Sequence, residues 1–413
     1  MKVIGLVTEY NPFHNGHKYH LEKSKELSGA SHSIAVMSGN FLQRGEPALF
    51  DKWERAKIAV NEGIDLVIEL PTIFSCNSAE FFAQGSITLL DSLNIVNFIC
   101  FGSEDGKLEN IDLISELLIN EPLEYKEILK KYLDLGYTFP LARQNALEEY
   151  LGNSLAPTNI LNSPNNILGI EYIKALKLLN SSIEPLTIKR IKADYNSKKI
   201  EDNICSATAI RSLLQEDYSD LMGVKKVVPF KSFNIIKNII EEGRGPIFSK
   251  DLEQIILYKL RMESPYELSH IHDVVEGLEN RLKNGSMRST SYTELMEYLK
   301  TKRYTMTRLQ RILIKTILGI SKDDVAVLVK GLGPQYIRVL GFNSKGADLL
   351  RMIKKQSKLP IITNLKRFNP PNENVKRMLD IDITASDVYS LLYKNGKLAI
   401  GGLDYITKPF IAN

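Results

Sequence analysis

The sequence is poor in the features that mark secreted and membrane-spanning proteins. Its 413 residues include only three cysteines, Cys76, Cys100 and Cys205, and these are scattered. We therefore expect reduced packing thiols rather than a disulfide framework. No apolar run approaches the roughly 18 residues that a membrane-spanning helix needs. The first residues lead directly into a strand pattern without a signal-peptide pattern, so we expect a cytoplasmic protein with no membrane partner.

Charge is balanced overall but divided unevenly along the chain. Although the net charge is +4, the front half, residues 1–217, contains 21 Lys and Arg and 29 Asp and Glu. Residues 218–413 carry 32 basic and 20 acidic residues. Such a division suggests that the back half binds a polyanion. A solvated basic face without a partner would explain the charge equally well.

Short apolar runs alternate with helical patterns in the front half. The runs cover residues 3–7, 33–37, 65–70, 96–101 and 186–191, and helical patterns cover 51–61, 78–93 and 104–150. This alternation predicts an α/β fold with a parallel sheet and right-handed crossovers. Ligands of such sheets bind beyond the carboxyl ends of the strands. The segments expected there are residues 8–17, 38–44, 70–71 and 102–103.

The most informative of these segments is the turn after the first strand, TEYNPFHNGHKYH at residues 8–20. His14 and His17 are three residues apart, so both should project from one face of the first helical turn. The unpaired N–H groups of a helix start, with the positive end of its dipole, suit a phosphate. A zinc-binding histidine pair and a purely capping role are the alternatives.

His14-Asn15-Gly16-His17 resembles the HxGH signature of the nucleotidyltransferase superfamily. Residues 8–20, together with MSGNFLQRGEP at 37–47, resemble the bacterial tRNA(Met) cytidine acetate ligases. The resemblance implies that ATP and acetate form acetyladenylate. The acetyl group then passes to N4 of the wobble cytidine (position 34) of elongator tRNA(Met), giving N4-acetylcytidine. It also implies a Rossmann-like nucleotidyltransferase domain at 1–217 and a mostly helical, basic, tRNA-binding domain at 218–413, which a further boundary near 330 could divide.

The resemblance assigns two histidines to catalysis and a wider set to ATP. His14 and His17 are expected to stabilise the α- and β-phosphates, by donating hydrogen bonds and by carrying positive charge as pyrophosphate leaves. Magnesium is expected on the nucleotide, with no metal site in the protein. The expected ATP-binding residues are Val7, Thr8, Glu9, Tyr10, Asn11, Pro12, Phe13, His14, Asn15, Gly16, His17, His20, Gly102, Asn165, Asn166, Arg190, Ser206 and Thr208.

Two later segments contribute to that set. Asn165 and Asn166 follow Pro164 at a helix start, where either could cap the helix or contact the nucleotide. Residues 204–211, ICSATAIR, resemble the ISSTxxR motif that closes nucleotidyltransferase sites, with Cys205 in the place of an Ile and Ala207 in the place of the second hydroxyl residue. These departures leave Ser206 and Thr208 as phosphate candidates and leave the role of Arg211 open.

The densest basic stretch of the back half is KTKRYTMTRLQR at residues 300–311. If this stretch is helical, Tyr304, Arg308, Arg311 and Lys315 share one face, on which cations could pair with phosphates and the tyrosine could stack on a base. We predict tRNA contacts at Lys302, Arg303, Arg308 and Arg311, and an ordinary exposed helix is the alternative. Further helices are predicted near 249–260 and 273–282, and further basic residues follow at Lys345, Arg351, Lys354, Lys355, Lys366, Arg367, Lys376 and Arg377.

Two other functions remain open from the sequence. A small-molecule nucleotidyltransferase, making a dinucleotide cofactor or a pantoate-type adenylate, would not need the basic residues of 218–413. A non-catalytic RNA-binding protein would not need an intact His14, Gly16, His17 and Ser206. No protein partner can be inferred from the sequence.

Overall fold

A computed structural model describes residues 1–152, 160–190, 205–217, 221–275 and 277–412. Its strands are β1 (Val3–Thr8), β2 (His32–Ser38), β3 (Leu66–Leu70), β4 (Phe98–Ser103), β5 (Glu184–Lys189), β6 (Ile337–Phe342), β7 (Ile361–Ile362) and β8 (Phe410–Ile411). They form one eight-stranded sheet in the order β5-β4-β1-β2-β3-β6-β7, with β8 paired to β6.

Helices cover both faces of this sheet. They are α1 (Asn15–Ser28), α2 (Lys52–Asn61), α3 (Thr72–Ser75), α4 (Ala79–Ser92), α5 (Leu108–Asn120), α6 (Leu123–Asp134), α7 (Phe139–Leu151), α8 (Pro164–Leu178), α9 (Ala207–Glu216), α10 (Met222–Val227), α11 (Phe230–Glu241), α12 (Glu253–Met262), α13 (Pro265–Ser269), α14 (Leu278–Arg288), α15 (Tyr292–Leu299), α16 (Met306–Leu318), α17 (Lys322–Asp324), α18 (Ser344–Gln356), α19 (Glu373–Ser390) and α20 (Leu403–Ile406). Short 3-10 turns lie at Ile160–Asn162, Ser249–Leu252, Leu365–Arg367 and Gly396–Leu398, and a π-helical stretch at Val325–Leu332. Within the described ranges, none of these helices is long and apolar enough to cross a membrane.

The parallel sheet predicted for the front half is confirmed. Strands β1 to β5 pair with one another only in parallel, with β1 between β2 and β4. Strand β6, from far along the chain, then joins β3 in the antiparallel sense. The back half is mostly helical, as expected, but it also completes the sheet. The domain division at residue 217 stays a prediction.

Alternate side chains of the strands enter two separate cores, one on each face of the sheet. Val3, Ile34 and Ile68 belong to one buried cluster, whereas Ile4, Ala35 and Val67 belong to the other. Burial on both faces is typical of strands in doubly covered α/β sheets. It leaves the carboxyl edge of the sheet as the place where polar loops meet.

A buried ion-pair network attaches the last helices to this edge. The Lys52 ammonium lies 2.8 Å from the Glu69 carboxylate and 3.0 Å from Asp404, and all three side chains are almost fully buried. Arg338 on β6 also contacts Asp404, at 3.2 Å. Because each buried charge has an opposite partner, the network stays stable only while its members are all present.

One helix prediction in the back half was wrong at its start. Residues 273–275 are not helical, and α14 begins at Leu278. Asp273 instead adopts a positive φ of 71° and its carboxylate accepts from the buried Lys315 at 2.6 Å. The basic stretch 300–311 is helical only from Met306, since the Thr305 side chain accepts from the Arg308 N–H and caps the helix. Tyr304 therefore precedes the helix.

Candidate active site

Two histidines close the turn between β1 and α1. His14 is the N-cap of α1, and its Nδ1 accepts a hydrogen bond from the Gly16 N–H at 3.0 Å. Nδ1 of His17 accepts from the His14 N–H at 3.3 Å. The two rings stack, with centroids 3.8 Å apart and planes inclined by 26°. The capping alternative is thus correct for Nδ1 of each ring, and Nε2 of each ring is left for another partner.

The capping bonds determine which nitrogen carries the proton. A backbone N–H can only donate, so Nδ1 of each histidine is an acceptor and the proton of the neutral ring lies on Nε2. Burial, helped by the charges of Arg190 and Arg211, lowers the pKa of His14 to about 3. Burial, and then the nearby His14, His20 and Arg190, lowers the pKa of His17 well below its usual value. The pair therefore presents two neutral Nε2–H donors, whereas the sequence suggested that the rings could carry charge.

Aromatic side chains pack against the histidine pair. Tyr10, which is buried and has a φ of 47°, lies with its ring centroid 5.1 Å from that of His17 and 4.8 Å from that of Phe13. One turn further along α1, Nε2 of His20 is buried and has no hydrogen-bond partner among the described residues. Burial, and to a lesser extent Arg190, lowers the pKa of His20 to about 4. The predicted Tyr10, Phe13 and His20 thus lie directly around the pair.

A buried arginine that the sequence did not single out holds the neighbouring strand ends together. The Arg55 guanidinium on α2 donates to the carbonyl oxygens of Phe50 at 2.9 Å, Glu9 at 2.6 Å and Ser38 at 3.0 Å, and also to that of Gly39. It therefore ties the loop after β1 to the loop after β2. No local signal could identify it, because its partners are up to 46 residues away.

The first residues of the ATP-binding set line the same turn. Val7 and Thr8 are half-buried, whereas Pro12 is buried. The Glu9 carboxylate accepts from the Gln43 N–H at 2.8 Å, and burial raises the pKa of Glu9 against the lowering effects of that N–H and of nearby arginines. The Asn15 side chain donates to the Lys226 carbonyl at 3.4 Å.

Strand β4 and helix α8 meet through a reciprocal pair of caps. The Asn166 side-chain oxygen accepts from the N–H groups of Glu104 and Asp105, at 2.9 and 3.2 Å. In return, the Glu104 carboxylate accepts from the Asn166 N–H at 3.0 Å. Asn166 is buried, and its side-chain oxygen and backbone N–H are both used inside the protein. Glu104, which the sequence analysis did not select, positions this helix start beside Gly102.

Asn165 is placed differently from its neighbour. It is half-buried, its amide donates to the Glu104 carboxylate at 2.6 Å, and its oxygen accepts from Arg190 at 3.3 Å. Arg190 follows β5 and is exposed. A Cβ atom on Gly102 would lie 3.2 Å from Cγ of Arg190, so the strand end and the arginine are in close contact. Of the two asparagines, Asn165 is the one with access to a ligand.

Helix α9 approaches the turn after β1 from the other side. Ser206 is its N-cap, since the Ser206 hydroxyl accepts from the Ala209 N–H at 3.2 Å. Arg211 donates to the Asn11 carbonyl at 3.0 Å and to the Thr208 hydroxyl at 3.3 Å. Arg211 therefore connects α9 to the histidine turn, with Thr208 beside it. The roles of Ser206 and Thr208 in phosphate binding stay predictions.

The four predicted tRNA-binding residues lie on and before α16, and they fall into two pairs. Lys302 and Arg303 are exposed in the turn before the helix. Arg308 and Arg311 are only half-exposed and have protein partners: Arg308 donates to the Asp273 carbonyl at 3.2 Å, and Arg311 to the Gln43 carbonyl at 3.4 Å. Lys315, expected on the same face, is fully buried.

Comparison with known proteins places this arrangement among close relatives. Residues 1–401 match the model of the HIGH Nucleotidyl Transferase family. The chain is 45% identical over 410 residues to the tRNA(Met) cytidine acetate ligase of Acetivibrio thermocellus, covering 98% of each chain. It is 46% identical over 406 residues, again 98% of each chain, to the ligase of that name from a Thermoanaerobacter species.

Solved structures agree with this result along the whole chain. The crystal structure of Thermotoga maritima TmcAL bound with alpha-thio ATP superposes with a TM-score of 0.92 at 37% identity, covering 100% of both chains. The apo form of the same protein gives a TM-score of 0.93 at 37% identity, covering 100% of this chain and 99% of the other.

Proposed function

Because this chain belongs to the HIGH nucleotidyl transferases and, within them, to the tRNA(Met) cytidine acetate ligases, we propose that it activates acetate with ATP and acetylates N4 of the wobble cytidine of elongator tRNA(Met). The observation that supports the first step best is the stacked histidine pair. It offers two neutral Nε2–H donors at a helix N-terminus, close enough to Arg190 for that charge to affect both rings.

In the first step, an acetate oxygen attacks the α-phosphorus of ATP. The new O–P bond forms as the bond from the α-phosphorus to the oxygen that bridges to the β-phosphorus breaks, and pyrophosphate leaves. Charge grows on the non-bridging and leaving oxygens, where fixed donors are most effective. His14 and His17 supply N–H donors, and Arg190 and Arg211 supply positive charge.

In the second step, N4 of the cytidine attacks the carbonyl carbon of acetyladenylate. The bond between that carbon and the phosphate-linked oxygen breaks, AMP leaves, and N4 loses one proton to solvent. Because Arg55 connects the loops after β1 and β2, we propose that these two loops hold the mixed anhydride within reach of the incoming base. Lys302 and Arg303, and to a lesser degree Arg308 and Arg311, are proposed to contact the tRNA backbone.

We propose that Mg²⁺ enters bound to the triphosphate. Among the described residues, no group of three or more His, Cys, Asp or Glu side chains could hold a metal ion. Mg²⁺ commonly keeps several waters and binds through substrate phosphates, so the nucleotide itself would supply its ligands. Its contribution would be neutralisation of phosphate charge, in addition to that of the arginines.

One reaction mixture tests the proposed function. The full-length protein is incubated with ATP, Mg²⁺, ¹⁴C-acetate and an elongator tRNA(Met) transcript, and acid-stable label in RNA is counted. A transcript with uridine at the wobble position, which has no amino group to acetylate, is the matched control. We expect label only in the cytidine transcript. Label confined to free adenylate would instead favour a small-molecule nucleotidyltransferase, and no acetate-dependent use of ATP would contradict the proposal.

A further inference from the structure

The basic charge of the back half is concentrated in one part of it. Residues 300–377 contain 18 Lys and Arg and only 4 Asp and Glu. Within them, residues 349–372 contain no acidic residue. This stretch runs from α18 through β7 to the start of α19, so the excess charge surrounds the strand at the end of the sheet.

Five cations of this stretch are exposed and unpaired. They form what we call the β7 basic patch: Lys354, Lys355, Lys358, Lys366 and Arg367. None of their side chains makes a hydrogen bond or ion pair with a residue in the described ranges. Surface cations elsewhere commonly have carboxylate partners, such as Lys131 with Glu149 at 3.0 Å and Lys177 with Asp112 at 2.8 Å. The patch therefore keeps its charge available for an external anion.

The position of β7 relates the patch to the active site. Ile361 pairs with Ile337, and the next residue of β6, Arg338, pairs with Glu69 at the carboxyl end of β3. The segment that enters β7, with Lys358, therefore lies at the edge of the sheet where the histidine turn lies. Four strand spacings separate β1 from β7, which corresponds to about 19 Å.

The chemistry of the patch fits a chain of phosphates. Unpaired lysines and an arginine attract phosphate as point charges and release counterions on binding. The lateral spacing of about 19 Å between β1 and β7 is too long for the reacting nucleotide itself but suits the nucleotides that flank it. An acidic protein or an anionic membrane would also be attracted, but neither explains why Lys358 shares an edge with the catalytic turn. Lys354 and Lys355 extend the patch toward the turn before β4, since the carbonyl oxygen of the neighbouring Gln356 accepts from the Asn94 side chain at 3.1 Å.

We propose that the β7 basic patch is a tRNA-binding surface that contacts the phosphate backbone outside the anticodon nucleotide to be modified. This inference rests on the proposed function for the identity of the RNA. It adds a surface that is separate from the Lys302–Arg303 turn. The patch acts on RNA affinity alone and leaves the use of acetate and ATP unchanged.

The test compares the full-length protein with Lys354→Gln/Lys355→Gln/Lys358→Gln. The matched control, Lys126→Gln/Lys130→Gln/Lys131→Gln, removes three exposed lysines of the acidic half on α6. Binding of fluorescent tRNA(Met) is measured by anisotropy at several KCl concentrations. We expect the patch variant to bind about tenfold more weakly at low salt, with a slope of log K against log[KCl] that is shallower by about 2 to 3. The control should match the wild type.

A second readout separates the patch from the proposed function. Acetate-dependent ATP–pyrophosphate exchange without tRNA should stay within twofold of wild type in both variants. If the wild type shows no such exchange but the patch variant still binds tRNA more weakly, the proposed function is contradicted. The inference that the patch binds RNA is then still supported. An unchanged affinity and salt slope, or equal weakening of tRNA binding by the control substitutions, would overturn the inference.

Discussion

The histidine turn and helix α16 hold their functional groups in opposite ways. In the turn, partners are neighbours in sequence: His14 and His17 cap the helix that they begin. On α16, the partners come from distant parts of the chain, since Arg311 contacts Gln43 and Lys315 contacts Asn77 and Asp273. The three-residue spacing of His14 and His17 therefore predicted that their rings lie together. The helix face shared by the cations of α16 did not predict which of them are exposed to solvent.

The comparison also shows two uses of positive charge. Around the turn, burial keeps the imidazoles neutral and leaves the charge to Arg190 and Arg211. On α16, a buried lysine is matched by a carboxylate and serves the packing of the back half. In the described structure, cations that remain free for a ligand are found in the turn before α16, at the end of α18 and in the segments on either side of β7. The predictions below test this division.

The strongest expected effect concerns the buried network that joins the back half to the sheet. Lys52→Met removes the cation between Glu69 and Asp404, and leaves both carboxylates with Arg338 as their remaining ion-pair partner. We expect the free energy of unfolding to fall by about 3–5 kcal/mol, measured by urea denaturation. Lys57→Met, on the exposed side of the same helix, should change it by less than about 1 kcal/mol. Equal effects of the two substitutions would show that the network contributes nothing particular.

The buried histidines should make the protein sensitive to acid. His20 has a pKa of about 4 in the folded state and about 6.5 when unfolded. Between these values the unfolded chain binds the additional proton, so stability is full above pH 6.5 and falls as the pH drops toward 4. At pH 5 the loss from this residue is about 2 kcal/mol. His20→Gln should flatten the curve of unfolding free energy between pH 7 and 5, and a curve parallel to wild type would argue against this role.

Arg190 lies near the histidine pair, so its substitution should weaken the binding of ATP. Arg190→Gln removes a charged donor that lies in contact with Asn165 and Gly102. We expect KM for ATP to rise about tenfold in pyrophosphate exchange, since a hydrogen bond to a charged group contributes about 1.5–3 kcal/mol. Lys189→Gln, the adjacent exposed cation on β5, is the control and should leave KM within twofold. A rise in KM in both variants would indicate a general electrostatic attraction of ATP by nearby cations rather than a specific contact with Arg190.

The smallest effect is expected at the turn before α16. Lys302→Gln/Arg303→Gln removes two exposed cations without protein ion pairs in the described structure. The affinity for tRNA should fall by about threefold to tenfold, with a salt slope shallower by about 2. Arg311→Gln breaks a protein contact instead, so it should change stability more than the salt slope. The reverse pattern would show that Arg311 reaches the RNA backbone.

The sequence predicted the parts of this molecule whose causes are local. Strands, the helix start at the histidine turn and the Ser206 cap follow from alternation and capping over a few residues. Asn165 and Asn166 could not be distinguished, because both begin the same helix and only the partner Glu104, 62 residues away from Asn166, separates their roles. The burial of Arg55 and Lys315 could not be predicted for the same reason, because no residue close in sequence explains why a cation is buried there.

Acetate-dependent ATP–pyrophosphate exchange by His17→Ala, measured beside tRNA binding by the same variant, tests the central claim most directly. Loss of one preorganised donor should slow exchange by about 10²–10³-fold, while tRNA affinity stays at the wild-type value. His270→Ala, which removes an exposed histidine of the back half, should leave both properties unchanged. Exchange at the wild-type rate in His17→Ala would contradict the account.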